Sequence, residues 1–153
     1  MKRWMYWLLA VLALSILGGK GSTGTDVAKL QPVEVVYVAR MDHQVQIKTD
    51  TGDRGMGENL QTAIANMQAT APAEIFLETA EYLLVDAEDL LGELMEVLRP
   101  SCRVCISKGD LELERVGAYL RIHQPGVTLR KYRAGMTDLQ ILKVTEGRME
   151  LVS

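Results

Sequence analysis

Cysteine and phenylalanine are scarce in this chain of 153 residues. Its two cysteines both lie in the stretch RPSCRVCISKGD, at residues 99–110. Two cysteines are too few for a disulfide-rich scaffold, and a second C-x-x-C that would complete a zinc site is missing from the sequence. Phe occurs once and Met eight times. Aliphatic side chains and Met must therefore fill most of the core.

Positive charge is also in short supply outside the first 20 residues. Without Lys2, Arg3 and Lys20, the remainder carries 14 Lys and Arg against 20 Asp and Glu, a net charge of −6. Nucleic-acid binding proteins normally carry a basic stripe, and lipid-binding faces carry clustered Lys and Arg. The composition therefore argues against nucleic acid as a partner and against a polybasic lipid-binding face.

The N-terminus has the pattern of a secretory signal. Two basic residues precede the run WMYWLLAVLALSILGG, which is uncharged over residues 4–19. Its 16 residues fall short of the roughly 20 that span a bilayer. The run contains no A-x-A cleavage site, so an uncleaved anchor stays open, as does a buried core helix. We predict a signal peptide or membrane anchor at residues 1–20 and an exported protein, either at the outer face of the cytoplasmic membrane or secreted.

The rest of the sequence predicts one α/β domain. The small, polar stretch GKGSTGTD at residues 19–26 predicts a flexible linker, which we place at residues 21–28, and the domain follows at residues 29–153. Runs rich in β-branched and alternating apolar residues alternate with amphipathic stretches, which favours a mixed sheet with three to four helices packed on it. The predicted strands lie at residues 33–39, 44–50, 81–85, 102–108, 139–144 and 148–152. The predicted helices lie at residues 58–69, 87–99 and 111–123, with a further helical turn at 128–135.

Local sequence patterns predict the apolar face of the first helix and the N-caps of the second and third helices. Leu60, Ile64 and Met67 have the spacing of one apolar helix face. Asp86, with an acid three residues later, is expected to cap the second helix, and Asp110 to cap the third.

Cys102 and Cys105 allow three interpretations: a redox pair, half of a metal site, or two small strand residues. A redox C-x-x-C normally opens a helix, where the two side chains meet and the helix dipole lowers the thiol pKa. On a strand, residues i and i+3 point to opposite faces about 10 Å apart, too far for a disulfide. The predicted strand favours small buried residues, and a thiol-redox protein using Cys102 and Cys105 is kept as the alternative function.

Other candidate groups have simpler structural explanations. The loop TGDRGMGEN has the spacing G-x-x-G-x-G, and its Asp53 and Glu58 would repel a phosphate, so a flexible loop is expected rather than a nucleotide site. His43 is predicted in a hairpin turn and His123 at a helix C-terminus, with no Cys or His at ligand spacing. Paired carboxylates can cleave glycosides, but the acidic cluster of this chain is more typical of a helix start followed by a solvated helix face. That cluster consists of Glu78, Glu81, Asp86, Glu88, Asp89, Glu93 and Glu96.

Several stretches share the pattern of a known family. VEVVYVA leads into GMGENLQTAIANM, and TAEYLLVDAEDLLGELMEVLRPSCRVCISKG carries a strand at residues 83–85 and a turn arginine at Arg99. TLRKY and EGRMELV follow. From about residue 33 to 152 the chain resembles the N-terminal domain of Ger(x)C-type lipoproteins, the C subunits of spore-germination receptors.

Two departures accompany the resemblance. The family has a lipobox cysteine where SILGGK places Lys20, so lipidation is not supported. The family also continues into further domains, and we expect a one-domain or truncated relative. The resemblance implies a membrane-associated interaction or assembly role, with protein partners such as the membrane subunits of a germination receptor. It implies no catalysis and carries over no site residues. From the motif spacings discussed above, we expect no cofactor and no metal.

Overall fold

The computed structural model describes residues 30–153. The predicted signal or anchor at residues 1–20 and the predicted linker at 21–28 lie outside the described residues. Within them the chain is an α/β fold, as predicted. The strands are β1 (Leu30–Pro32), β2 (Val35–Met41), β3 (Gln44–Thr49), β4 (Arg54–Gly57), β5 (Glu74–Phe76), β6 (Tyr82–Val85), β7 (Arg103–Ser107), β8 (Ile141–Thr145) and β9 (Arg148–Val152).

Four α-helices connect or flank these strands. They are α1 (Leu60–Thr70), α2 (Leu91–Val97), α3 (Leu113–Ile122) and α4 (Leu129–Arg133). Short 3-10 helices cover Leu77–Thr79 and Glu88–Leu90. The prediction of a mixed sheet with three to four helices is confirmed, since four helices accompany a mixed sheet of seven strands.

The seven-stranded sheet has the order β4-β3-β2-β6-β7-β8-β9, and β1 pairs with β5 in a separate small sheet. The four central strands β2, β6, β7 and β8 are parallel, while β3, β4 and β9 add as antiparallel neighbours. Strand β6 and the first five residues of β2 are uninterrupted buried runs, YLLV and VVYVA, because both of their faces are covered, whereas β8 buries only Leu142.

Two core clusters lie on opposite faces of the sheet. Val36, Val38 and Leu83 pack with α1, α2 and α4 on one face, which we call the three-helix face. Tyr37, Ala39 and Leu84 pack with α3 on the other, the α3 face. Neighbouring positions of β2 therefore contribute alternately to the two clusters, as the two-residue period of a strand requires.

The glycine-rich stretch at residues 51–58 is not the flexible loop that was predicted. Gly55 and Gly57 belong to β4, which lies directly against α1. A Cβ on Gly55 would stand 2.0 Å from the carbonyl oxygen of Ala63, and one on Gly57 would stand 2.6 Å from the backbone nitrogen of Ala63. The glycines are needed because the backbones of β4 and α1 approach too closely for any side chain.

Both predicted aspartate caps were wrong. Asp86 precedes a 3-10 helix, and its carboxylate accepts a hydrogen bond from the backbone N–H of Arg40 at 2.9 Å. Glu112 holds the N-cap position of α3, and Asp110 instead contacts the Lys48 ammonium at 3.3 Å. The long-range partners were not visible in the local patterns that suggested caps.

The first helix differs from its predicted stripe at one position. Its buried residues are Leu60, Ala63 and Met67, while Ile64 is only partly buried. Ala63 takes the inner position because the glycines of β4 bring that strand against the helix backbone.

Side chains from the neighbouring helices hold backbone groups at both edges of the sheet. At the β4 edge, Asn66 of α1 donates a hydrogen bond to the carbonyl oxygen of Met56 at 2.7 Å. At the β9 edge, the Tyr119 hydroxyl of α3 accepts from the Leu151 N–H at 3.2 Å, and Arg115 donates to the Gly147 carbonyl oxygen at 3.3 Å. These contacts occupy groups that could otherwise pair with a foreign strand.

Across residues 30–153, no helix combines the length and the apolar character needed to cross a bilayer.

Candidate functional site

The connections that follow β6 and β7 leave the sheet toward opposite faces. After β6 the chain runs to α2 on the three-helix face, and after β7 it runs to α3 on the other face. A crevice of about 650 Å³ opens between them, at the carboxyl ends of the parallel strands. Divergent loops of this kind form the usual ligand crevice of open α/β sheets.

Asp86 lies in this crevice directly after β6. Its Oδ2 accepts the hydrogen bond from the Arg40 backbone N–H, while its buried Oδ1 has no hydrogen-bond partner. The Arg40 guanidinium points elsewhere and contacts Asp89 at 3.1 Å. A buried carboxylate oxygen without a donor is uncommon. Because this oxygen is closed to solvent, a molecule in the crevice does not contact it.

Tyr37 of β2 and a short ion pair complete the crevice floor. Lys48 of β3 stands opposite Tyr37 in the strand register and reaches Asp110 at 3.3 Å. Burial raises the pKa of the Tyr37 hydroxyl, and the negative charges of Asp86 and Asp110 raise it further. Tyr37 is therefore a neutral phenol that lies near two carboxylates.

The wall of the crevice is the connection between β7 and α3. Gly109 has a φ of 103°, a left-handed conformation that favours glycine, and the residues on either side of it are Lys108 and Asp110. Lys108 is exposed and has no ion-pair partner among residues 30–153.

The α3 face is uncovered over β3 and β4, and this surface is continuous with the crevice, because Met41, Gln46 and Lys48 belong to both. Tyr37, Lys48 and Arg54 form one row across three strands, and Ala39, Gln46 and Met56 form the next. None of the described residues of β3 or β4 joins the cluster that packs on α3. We call this surface the open face and define it by Met41, Gln44, Gln46, Lys48, Arg54 and Met56.

The open face combines exposed apolar side chains with positive charge. Met41 is 51% exposed and Met56 is 42% exposed. Lys48 and Arg54 are its charged members, and none of its six residues is acidic. The six residues together carry a charge of +2, of which Asp110 offsets one by its contact with Lys48.

Cys102 and Cys105 lie on opposite faces of the sheet. Cys102 precedes β7 and packs on the three-helix face, while Cys105 lies on β7 and packs beneath α3. Both are free and buried. Burial raises the pKa of each thiol to about 12. The pair therefore lacks both the proximity and the thiolate character that redox exchange requires.

The other residues that the sequence suggested do not gather into a site. His43 lies in the turn between β2 and β3, and His123 follows α3 with its ring stacked on Tyr119, the ring centroids 4.5 Å apart. Of the acidic cluster, Glu81 pairs with Arg99 and Asp89 with Arg40. Within residues 30–153, no group of three or more His, Cys, Asp or Glu side chains is arranged to hold a metal ion.

The crevice and the open face are candidate surfaces that the sequence reasoning missed. One signal was available for the crevice, because Asp86 directly follows one predicted strand and Lys108–Asp110 lie at the end of the next. Residues at the carboxyl ends of parallel strands meet at one edge of a sheet. The open face gave no such signal, since its rows depend on strand register.

Comparison with protein-family models, with curated proteins and with solved structures finds no match for this chain.

Proposed function

We propose that this protein is a non-catalytic interaction and assembly domain that works at the outer face of a membrane. The open face is the observation that carries the proposal. Helices cover both faces of β2, β6 and β7 over most of their length, whereas Met41 at the end of β2 and Arg54 and Met56 of β4 are exposed to solvent. Flexible, polarisable methionines are common at surfaces that accommodate protein partners.

The charge of the open face indicates the chemistry of the partner. Arg54 is exposed and forms no ion pair within residues 30–153, and Lys48 pairs with Asp110, which is almost fully exposed. A partner segment with acidic residues beside an apolar stripe would satisfy both cations and cover Met41 and Met56. The occupant that we propose is therefore an acidic, amphipathic segment of another protein, held by complementary charge and apolar contact.

The location and the identity of the partner come from the sequence. The basic residues and the uncharged run at residues 1–20 support export or anchoring. The resemblance to the N-terminal domain of Ger(x)C lipoproteins supports partners among the membrane subunits of a germination receptor. The buried thiols give the redox alternative no support.

Site-specific photo-crosslinking tests the proposal in cells that express the full chain. A photoreactive residue at Met56 is expected to yield a discrete adduct with a membrane protein, identified by mass spectrometry. The same residue at Met136, which is 51% exposed but lies outside the open face, is the matched control. Arg54→Glu should abolish the adduct, while Arg133→Glu on α4 should leave it intact.

Three results would contradict the proposal. An adduct that forms equally from Met56 and Met136 would show random collision rather than docking. If the adduct persists in Arg54→Glu, the partner is not recognised through acidic residues that contact Arg54. If the intact chain is recovered entirely from the soluble cytoplasmic fraction, the proposed location at a membrane is wrong.

A further inference from the structure

We propose that the partner segment binds the open face as an α-helix that lies along β3 and displaces Asp110 from its ion pair with Lys48. This inference rests on the proposed docking function. It adds the conformation of the partner and the contact that the partner must break. Three observations carry it: the course of the surface beside α3, the state of the β4 edge and the exposure of Asp110.

The open face leads into a trough made of two hollows. The crevice of about 650 Å³ is one of them. A second hollow of about 540 Å³ lies between the first turn of α3 and the hairpin of β3 and β4. Lys48 and Asp110 line both hollows, so their ion pair stands where the hollows meet. We call the two hollows together the trough.

The trough lies where a helix would complete the layer on the α3 face. Helices normally cover the faces of an α/β sheet, and α3 does so beside the trough. Strand β3 is six residues long, which corresponds to about 20 Å. A helix of about 13 residues spans the same length. A short amphipathic helix therefore fits beside α3.

The width of the open face also favours a helix over an added strand. Met41 on β2 and Met56 on β4 are two strand spacings apart, which is about 9.6 Å. One helix, about 10–12 Å across, covers both side chains. A strand added at the β4 edge would leave Met41 uncovered. The carbonyl oxygen of Met56 at that edge already accepts a hydrogen bond from Asn66 at 2.7 Å.

The ion pair in the trough is an internal competitor for the partner. The Lys48 ammonium contacts Oδ1 of Asp110 at 3.3 Å, and the side chain of Asp110 is 95% exposed. Breaking such a pair costs little, because water solvates the released carboxylate. An acidic residue of the bound helix replaces Asp110 at Lys48, and the displaced Asp110 remains in water. Asp110 therefore lowers the affinity of the open face for an acidic partner.

Cross-link mapping in cells that express the full chain tests the helical conformation. A photoreactive residue is placed in turn at Gln44, Gln46 and Met56, and mass spectrometry identifies the partner residues joined to each. The joined residues should recur at intervals of three and four in the partner sequence, because one face of a helix contacts the sheet. An extended segment would instead be joined at every second residue.

Asp110→Asn tests the competition for Lys48. At equal expression, the yield of the Met56 adduct should rise about two- to fivefold, as expected from releasing an exposed ion pair. Asp138→Asn is the matched control, since Asp138 is exposed and lines neither hollow, and it should leave the yield unchanged. In a Lys48→Gln background the gain from Asp110→Asn should vanish, because no ion pair remains to be displaced.

Any of three results would overturn the inference. Cross-links at every second partner residue would show an extended segment. An unchanged yield in Asp110→Asn would show that the ion pair does not hinder docking. A gain that persists in Lys48→Gln would show that Asp110 repels the partner instead of competing for Lys48. All three results leave the docking proposal intact, whereas the absence of any Met56 adduct would contradict both.

Discussion

The Glu34 carboxylate and the Arg121 guanidinium form a bidentate ion pair that joins α3 to the residue before β2. The Nε of Arg121 donates to Oε1 of Glu34 at 2.6 Å, and Nη2 donates to Oε2. The backbone carbonyl of the same glutamate accepts hydrogen bonds from Glu81 and Tyr82 at the start of β6. Glu34 therefore links α3, β2 and β6 at the amino end of the sheet.

This pair should make the stability depend on pH in acid. The Arg121 hydrogen bonds lower the pKa of Glu34 below its usual 4.5 in the folded protein. A lowered folded pKa contributes stability above the unfolded value, and that contribution disappears as the pH falls through the folded value. The unfolding free energy should therefore decline below about pH 4.5 by less in Glu34→Gln than in the parent, measured by urea denaturation. If the unfolding free energies of the two proteins fall equally in acid, Glu34 is not the source of the pH dependence.

Alanine at Gly55 should destabilise the protein by about 3 kcal/mol or more, because the new Cβ would overlap the backbone of α1. Urea denaturation measures the loss. The matched control is Gly92→Ala within α2, where a Cβ meets nothing within 4 Å. There the substitution should stabilise by about 0.5–1 kcal/mol, through helix propensity alone. A mild effect at Gly55 would mean that β4 and α1 lie farther apart than described.

Both thiols should be unreactive in the native protein. Cys102 and Cys105 are buried, and their raised pKa of about 12 leaves almost no thiolate at neutral pH. A colorimetric thiol reagent should therefore titrate neither cysteine in buffer and both in denaturant. Mild oxidant should produce no intramolecular disulfide. Rapid native reaction, or a readily formed Cys102–Cys105 disulfide, would restore the redox alternative.

Removing the side chains that hold the β9 edge should promote self-association. In the hairpin of β8 and β9, Glu146 and Gly147 both have positive φ, as in a two-residue type I′ turn. Leu151 therefore directs its N–H away from β8 and toward Tyr119. The double variant Arg115→Ala/Tyr119→Phe should show a concentration-dependent dimer by sedimentation velocity.

A third substitution identifies the edge responsible. Proline at Met149 removes an N–H that points away from β8, so it blocks pairing with a second chain without breaking the hairpin. Adding Met149→Pro should return the double variant to a monomer. Dimers that persist with the proline would arise from another surface.

Asn59 should contribute more to stability than the residue at the start of α3. Its side chain accepts a hydrogen bond from the Thr62 N–H at 2.9 Å, whereas Glu112 makes no cap bond. Asn59→Ala should cost about 1 kcal/mol, while Glu112→Ala should change the unfolding free energy little. Similar losses in the two variants would contradict this assignment of the caps.

The sequence predicted the fold class because its core strands and helices have strong hydrophobic patterns. The runs at β2 and β6 and the terminal hairpin were found near their actual bounds. The short strands β1, β4 and β5 were missed, since three or four residues carry too little periodicity. The glycines of β4 also suggested a loop. They are required by the close approach of the α1 backbone, which the sequence of β4 alone does not reveal.

The candidate site was harder to predict because its parts are far apart in the chain. Tyr37, Asp86 and Lys108 come together only once β2, β6 and β7 are assembled in that order. Asp86 and Asp110 matched a local capping pattern. Their carboxylates instead bind groups from other strands, the Arg40 N–H of β2 and the Lys48 ammonium of β3. The opposite orientation of the two cysteines was predictable, since it depends only on the alternation within one strand.

The four parallel strands occur in the sheet in the same order as in the chain, β2, β6, β7 and β8. Each newly synthesised strand can therefore add to the margin left by the one before it, without inserting between two strands already paired. A protein threaded outward from its N-terminus could assemble in this stepwise manner. Interruption after any of these strands would leave a smaller sheet with a bare margin, which quality-control proteases or chaperones could recognise.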